Sequence, residues 1–524
     1  MSRSLLSLAL PAALLAAAAC WVPELPWLDG KACDDTHLCI RGVCLAGQCV
    51  LTPPGKDAST PVLVTRSTLH ALDDGTVVRV QEVPANLDML VETSGGGFVA
   101  LQPTVADAGL MIFWDAPAPG QPYVLRLGTR HFVSDAGMVD LSERVLGRPD
   151  LVASGPGTSL RTQLNCLSLW DVMDEIQLTA AGAGVGGLDL ATLPGWTPPA
   201  ASASQLNTSE SWTTAATPGL IQTSRGDFPV YLQLEHNTFN QGLPDGGSVA
   251  AHRWQSKHTW HDFPLEMSQG AQTATPLACT SSDINPRGAD QFDLRGAAFG
   301  AFLAGAGNGA TLSTITVSLR QAAWPAGPGP DVYRNGLTTA DDLKVSSQLP
   351  NNSPFPATWA NEAVAVASGI VPVVLQLDGG STTAFEPVVL VSHRAFPVDG
   401  GELAPAVGPP QLVMVNGTDA AAGVTGVGVQ PEITWSAPAL GTPAIYEVSI
   451  WREQDPSRQK APRLEGTVWT DATRIRIPPG LMTPGATYVL HVRAVSAPMD
   501  PLRAPLLSGL PYDEAELVSG LIEP

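Results

Sequence analysis

Proline and glycine punctuate this chain at about one residue in five, with 51 Gly and 47 Pro among 524 residues. Proline removes a backbone donor and glycine weakens helix interiors, so short strands joined by turns are the expected elements. Only 15% of residues are charged, while 44% are hydrophobic. That balance excludes a collagen, a coiled coil and a mostly disordered chain. The length predicts three to four domains as a soft prior. With 28 Lys+Arg against 49 Asp+Glu the net charge is −21, which argues against a nucleic-acid partner. The expected fold class is all-β, a multidomain chain of β-sandwiches with a small disulfide-rich module.

The N-terminus reads as an export signal over residues 1–19. A short positive start precedes an apolar run from Leu5 to Ala19 that is too short to span a membrane. Residues Ala16–Ala19 run directly into Cys20. Small residues before a cysteine resemble the lipobox of bacterial lipoproteins, although Ala17 stands where that family prefers Leu. The resemblance implies a lipidated (palmitate-bearing) Cys20 as mature N-terminus. Trp21 in place of Asp implies an outer-membrane destination. The alternative is ordinary signal cleavage and a secreted protein. Seven cysteines are an odd number for an exported chain, and lipidation of Cys20 leaves Cys33, Cys39, Cys44, Cys49, Cys166 and Cys279 to pair.

Residues 20–61 form a tethering segment. Within it, CDDTHLCIRGVCLAGQC (33–49) carries four cysteines, read as two disulfides with three possible pairings. Zinc bound with His37 is the rival reading, but paired Cys-x2-Cys knuckles are missing. The segment resembles short cysteine-rich modules that follow the anchor in bacterial surface lipoproteins. A small β-sandwich is expected over 62–148, with strands at Thr76–Val83, Leu87–Glu92, Gly97–Leu101, Leu110–Trp114, Tyr123–Leu127 and His131–Ser134. Its run FWDAPAPGQPYVLRLG resembles the end of carboxypeptidase-regulatory sandwich modules.

Residues 149–408 read as one large β domain, either a sandwich or a propeller-like arrangement, with no evident internal repeat. Alternation at Ile176/Leu178, Val230/Leu232/Leu234 and Ile315/Val317/Leu319 marks strands. Cys166 and Cys279 are expected to pair across it. Residues 409–498 contain PEITWSAP, YEVSIWRE and LMTPGATYVLHVRAV. This pattern resembles a fibronectin type III domain, with Trp435 buried and Tyr488 closing a corner onto Met482-Thr-Pro-Gly. Tyr488, Leu490, Val492 and Ala494 would face inward, with His491 and Arg493 turned to water. Residues 499–524 read as a loosely packed acidic tail.

Candidate chemistry centres on AAHRWQSKHTWHDF, where His252, His258, His261 and Asp262 could bind zinc, copper or nickel. On a strand, however, His258 and His261 would face opposite sides, so a polar surface loop is the plainer reading. His236 shares the apolar face of Val230, Leu232 and Leu234 and reads as a hydrogen-bonded core or edge residue. Gly182-Ala-Gly-Val-Gly-Gly187 matches a dinucleotide fingerprint in form only, since LATLPGWTPP follows where a helix is required. Arg225-Gly226-Asp227 reads as a turn. Trp196, Trp212, Trp254, Trp260, Trp324 and Trp359 could form a sugar-binding row or cap sandwich cores. No catalytic residue and no cofactor is assigned. The functional expectation is a non-enzymatic, lipid-anchored cell-envelope protein forming an extended binding or scaffolding stalk. Its partners would be the membrane, through the lipid, and an envelope protein or glycan. The alternative is a surface or secreted hydrolase of glycans or peptides acting through 149–408.

Overall fold

Along Ser159–Asn165 every second side chain is buried, namely Leu160, Thr162 and Leu164, and Gln205–Ser211 repeats the pattern with Leu206, Thr208 and Glu210. Such period-two burial builds one wall of a sandwich. It recurs throughout the computed structural model, which describes residues 42–45, 48–51, 61–105, 110–118, 120–213, 219–243, 245–278, 286–307, 309–322, 329–350, 354–376, 382–385, 387–395, 401–454, 462–496, 504–507 and 513–524. The chain is all-β and multidomain, with one α-helix, Gly296–Ala304, among the described residues.

Cys20, Cys33, Cys39 and His37 lie outside the described residues. Gly42–Leu45 and Gln48–Leu51 form an antiparallel hairpin that sets Cys44 opposite Cys49. Four sandwiches follow. In the first, Val62–Thr65 and Ser67–Ala71 run parallel to Met138–Asp140 and Glu143–Leu146, so the unit's first and last strands adjoin. Its core holds Met89, Phe113, Leu125 and Phe132.

The region read as one large domain forms two sandwiches instead. In one, Ser159–Asn165 runs parallel to Gln272–Leu277. In the other, Pro286–Arg295 runs parallel to Gly401–Leu403. The same closure thus recurs in three units, a repetition of architecture without a repetition of sequence. Cys166 is disulfide-bonded, while Cys279, its expected partner, lies outside the described residues.

The fourth unit is fibronectin type III-like. Gln411–Val415, Glu432–Ser436 and Arg474–Arg476 form one sheet; Ile445–Arg452, Arg463–Thr470 and Tyr488–Ser496 form the facing one. The expected corner is present, with Thr483 N donating to the Tyr488 hydroxyl at 2.8 Å. Trp435 meets Tyr446 edge-on with centroids 5.3 Å apart.

Two expectations about this unit are corrected. The described end of the acidic tail is not loose: Asp513–Val518 forms the sheet's outer strand beside Tyr488–Ser496, and its other edge pairs with Val388–Ala395 of the third sandwich. Nor do His491 and Arg493 face open water. Arg493 is ringed by Glu514 and Glu516 of the tail strand, at 2.9 and 2.7 Å, with Glu447 at 3.9 Å. On the strand's far side, His393 Nδ1 lies 2.6 Å from Asp513. An acidic strand therefore sits between two strands bearing His and Arg, where opposite charges on neighbouring strands stabilise the register.

Backbone ladders also cross the other unit boundaries. Arg130–Ser134 of the first sandwich pairs in parallel with Arg463–Thr470 of the fourth. Ser248–Trp260 of the second pairs with Asp331–Leu337 of the third. The first and second units meet at a buried carboxylate: Asp73 accepts from Ala181 N and Gly182 N, both at 2.7 Å, and from Phe228 N at 3.0 Å. Its own carbonyl accepts from Trp359 Nε1 of the third unit at 2.8 Å. Contacts therefore run from first unit to fourth, third, second and back to the first. This closed circuit replaces the extended string expected from the sequence.

Candidate functional site

The second sandwich projects a loop, residues 166–174, whose construction is unusually complete. Cys166 opens it with φ at 62°, in the left-handed region, and is held by its disulfide. Leu167 and Trp170 anchor it in the core, 5% and 4% exposed. Asp171 N donates to Asp174 Oδ2 at 3.1 Å, and Met173 N donates to Asp171 Oδ1 at 2.9 Å. The fully buried Gln233 accepts from Ser168 N at 3.0 Å. Trp254 Nε1 donates to Met173 O at 2.8 Å. This framework holds Leu169, Val172 and Met173 out in solvent at 70%, 79% and 45% exposure.

Behind the loop lies an imidazole pair. The long hairpin of Val230–Gly242 and Ser248–Trp260 sets His236 opposite Trp254 and Thr238 opposite His252. The diagonal neighbours His236 Nε2 and His252 Nδ1 stand 3.0 Å apart with their rings stacked. One imidazole must be the neutral acceptor for that contact to exist. His236 Nδ1 faces Asp171 Oδ1 at 3.6 Å, and His236 N donates to Asp174 Oδ1 at 2.7 Å. Burial raises the Asp174 carboxyl above the usual range, and these backbone donors oppose it. The Arg334 guanidinium lies 4.3 Å over Trp254 and pairs with Glu175. Asp171, His236 and His252 thus form a short polar line beside an apolar projection.

The predicted metal cluster is not brought together. His252 and His258 sit six positions apart on one extended strand, roughly 20 Å along its axis. His258 stacks obliquely near Trp260, while His261 Nδ1 contacts its own neighbour Asp262 at 2.7 Å. No three His, Cys, Asp or Glu side chains among the described residues are placed to share a metal ion. The partner of His252 is His236, a residue outside the predicted cluster.

Other motifs resolve as structure. The glycine run forms the turn Ala181–Ala183, with Gly184 at φ 79°. A Cβ on Gly182 would lie 2.5 Å from Asp227 Oδ1 and 2.7 Å from Asp73 Oδ2, so glycine there permits the Asp73 docking. Asp227 of the Arg-Gly-Asp triplet is buried and paired with Arg148. Trp212, Trp260 and Trp359 are buried, Trp196 and Trp254 are half-buried, and Trp324 lies outside the described residues; no planar row forms among those described.

A second concave feature lies between the first and fourth units. It is a cleft of about 480 Å³ walled by Val91, Phe98, Pro122 and Val133, with Arg474 and Arg476 on the fourth unit's side. Arg476 Nε donates to Glu92 at 2.8 Å, whereas Arg474 stands 3.8 Å from Glu432 with its side chain 70% exposed.

No family model and no curated protein matches this chain. Among solved structures, the FN1–FN3 domains of chicken CNTN1 are similar at 8% identity over 70% of this chain and 99% of that one, with a TM-score of 0.14.

Proposed function

We propose that this protein is a non-enzymatic, lipid-anchored component of a bacterial cell envelope, placed at the outer membrane through Cys20, that acts as a binding and scaffolding body. The observation that supports this most is the strand pairing across unit boundaries, which joins the sandwiches through backbone hydrogen bonds. Such joints resist relative motion of the units and hold surface loops at defined positions, as a scaffold requires. The cysteine arithmetic supports the anchor, and the net charge of −21 disfavours nucleic acid as partner. The partner is an envelope protein or glycan met by edge strands and loop ends of the sandwiches.

Cell fractionation tests the anchor. The wild-type chain should sediment with outer membranes and incorporate labelled palmitate, and the Cys20→Ser chain should be released in soluble form. Retention of that variant in the membrane overturns the anchor. A hydrolytic activity on glycans or peptides that a single substitution such as His252→Ala abolishes would overturn the non-enzymatic reading.

A further inference from the structure

We infer that the protein associates head to tail with copies of itself, the loop 166–174 of one copy seating Leu169, Val172 and Met173 in the cleft between the first and fourth sandwiches of the next. No other five consecutive described residues hold three exposed large apolar side chains. A cluster of this kind on a soluble surface marks a contact site. The disulfide, the two core anchors and the Asp171/Asp174 turn hold the loop in one shape, so little ordering entropy is lost on docking.

The cleft fits this occupant in shape and charge. Its volume of about 480 Å³ and its apolar walls suit a few aliphatic side chains. Asp171 stands between Trp170 and Val172 with its side chain 56% exposed, and Arg474 projects at the cleft with 70% exposure. In a chain of net charge −21, an exposed arginine at an apolar cleft selects an acidic, apolar partner. Arg476 is engaged by Glu92 at 2.8 Å, whereas Arg474 is held only loosely by Glu432 at 3.8 Å, so Arg474 is the cation that a docking carboxylate can recruit. The projection belongs to the second unit and the cleft to the first and fourth, so each copy offers both surfaces. Two different surfaces make a heterologous contact, which adds copy after copy instead of closing as a symmetric pair. A contact this small is weak in solution, and confinement of anchored copies to one membrane would strengthen it by raising their effective concentration. The biological role of the assembly rests on the scaffold reading; the contact itself does not depend on the anchor.

Sedimentation equilibrium of the full chain carrying Cys20→Ser, free of lipid, is the test. Its weight-average mass should rise beyond that of a dimer as concentration approaches about 1 mM. Adding Val172→Asp or Arg474→Glu should each leave a monomer, with Arg474→Ala intermediate; near-ultraviolet circular dichroism checks that each is folded. A mixture of the Val172→Asp and Arg474→Glu chains should stop at a one-to-one dimer, because one functional surface survives on each. A monomer at every concentration, association insensitive to both substitutions, or a mixture that stays monomeric overturns the proposal. Binding of the monomeric chain to phosphatidylethanolamine vesicles, lost in Val172→Asp, would also overturn it by making the loop a membrane contact. None of these outcomes alters the membrane fractionation of the Cys20→Ser chain, so failure of the contact and failure of the anchor read separately.

Discussion

Removing the Asp73 carboxylate should loosen the joint between the first and second sandwiches. Asp73→Ala leaves the N–H groups of Ala181, Gly182 and Phe228 without their acceptor. Each buried orphan costs roughly 1–3 kcal/mol. Part of that loss is offset, because the carboxylate is itself poorly solvated: burial pushes its pKa up to about 6. A net loss of about 3 kcal/mol at the joint follows, which is about 100-fold in the local opening equilibrium. Hydrogen exchange on the full chain reads this directly. The amides of Ala181, Gly182 and Phe228 should exchange about 100-fold faster, while amides deep in the second core, such as Leu178, should change little. Asp74→Ala is the control, because Asp74 is exposed and caps only the local turn through Thr76 N. Acceleration below about threefold in Asp73→Ala, or equal acceleration in Asp74→Ala, would refute the argument.

Acid should act oppositely on two joints. Asp73 has its folded pKa raised from 3.8 to about 6 by burial, so the folded state binds the extra proton, and its joint tightens as pH falls from 6 to 4. His131, at the joint of first and fourth units, is pushed by burial from 6.5 down to about 4, so that joint weakens as pH falls from 6.5 to 4; exchange at Gly182 and Val468 should shift in opposite senses. Glu210, fully buried and pushed from 4.5 up to about 7 by burial, should progressively destabilise the second sandwich as pH rises from 4.5 to 7. Glu210→Gln should therefore raise the thermal midpoint at pH 8 and not at pH 5, and an equal gain at both would count against it. Tyr488→Phe removes the acceptor of Thr483 N and should cost about 1–3 kcal/mol in chemical denaturation, an unchanged midpoint being the contrary result. Deleting residues 513–524 bares strand edges at Tyr488–Ser496 and Val388–Ala395. The truncated chain should aggregate on size exclusion, and a monomer of wild-type stability would contradict the bridging role.

Much of the local structure was legible in the residues. Leu87–Glu92 and Tyr123–Leu127 are strands with the predicted bounds, because their apolar alternation ends in turn residues. The Tyr488 corner was readable because its parts lie within seven residues. The His236–His252 pair carried a signal that went unused: two alternating runs flank a Pro-Asp-Gly-Gly turn, and counting outward from it places the two histidines on adjacent strands. The acidic strand Asp513–Val518 could not be recognised in this way. DEAELV looks solvated until His393, Arg394, His491 and Arg493 are set on either side of it.

The sequence by itself determined the all-β class, the strand-and-turn rhythm and the type III-like fold of the last unit. Those properties follow from side-chain period, turn chemistry and a short-range corner, all encoded within a few residues of one another. Only the tertiary structure decided that 149–408 divides in two, that the tail completes two sheets, and that the units close into a circuit. A period-two pattern states which face of a strand is buried, but the edge hydrogen bonds that join one unit to the next are made by backbone groups common to every residue.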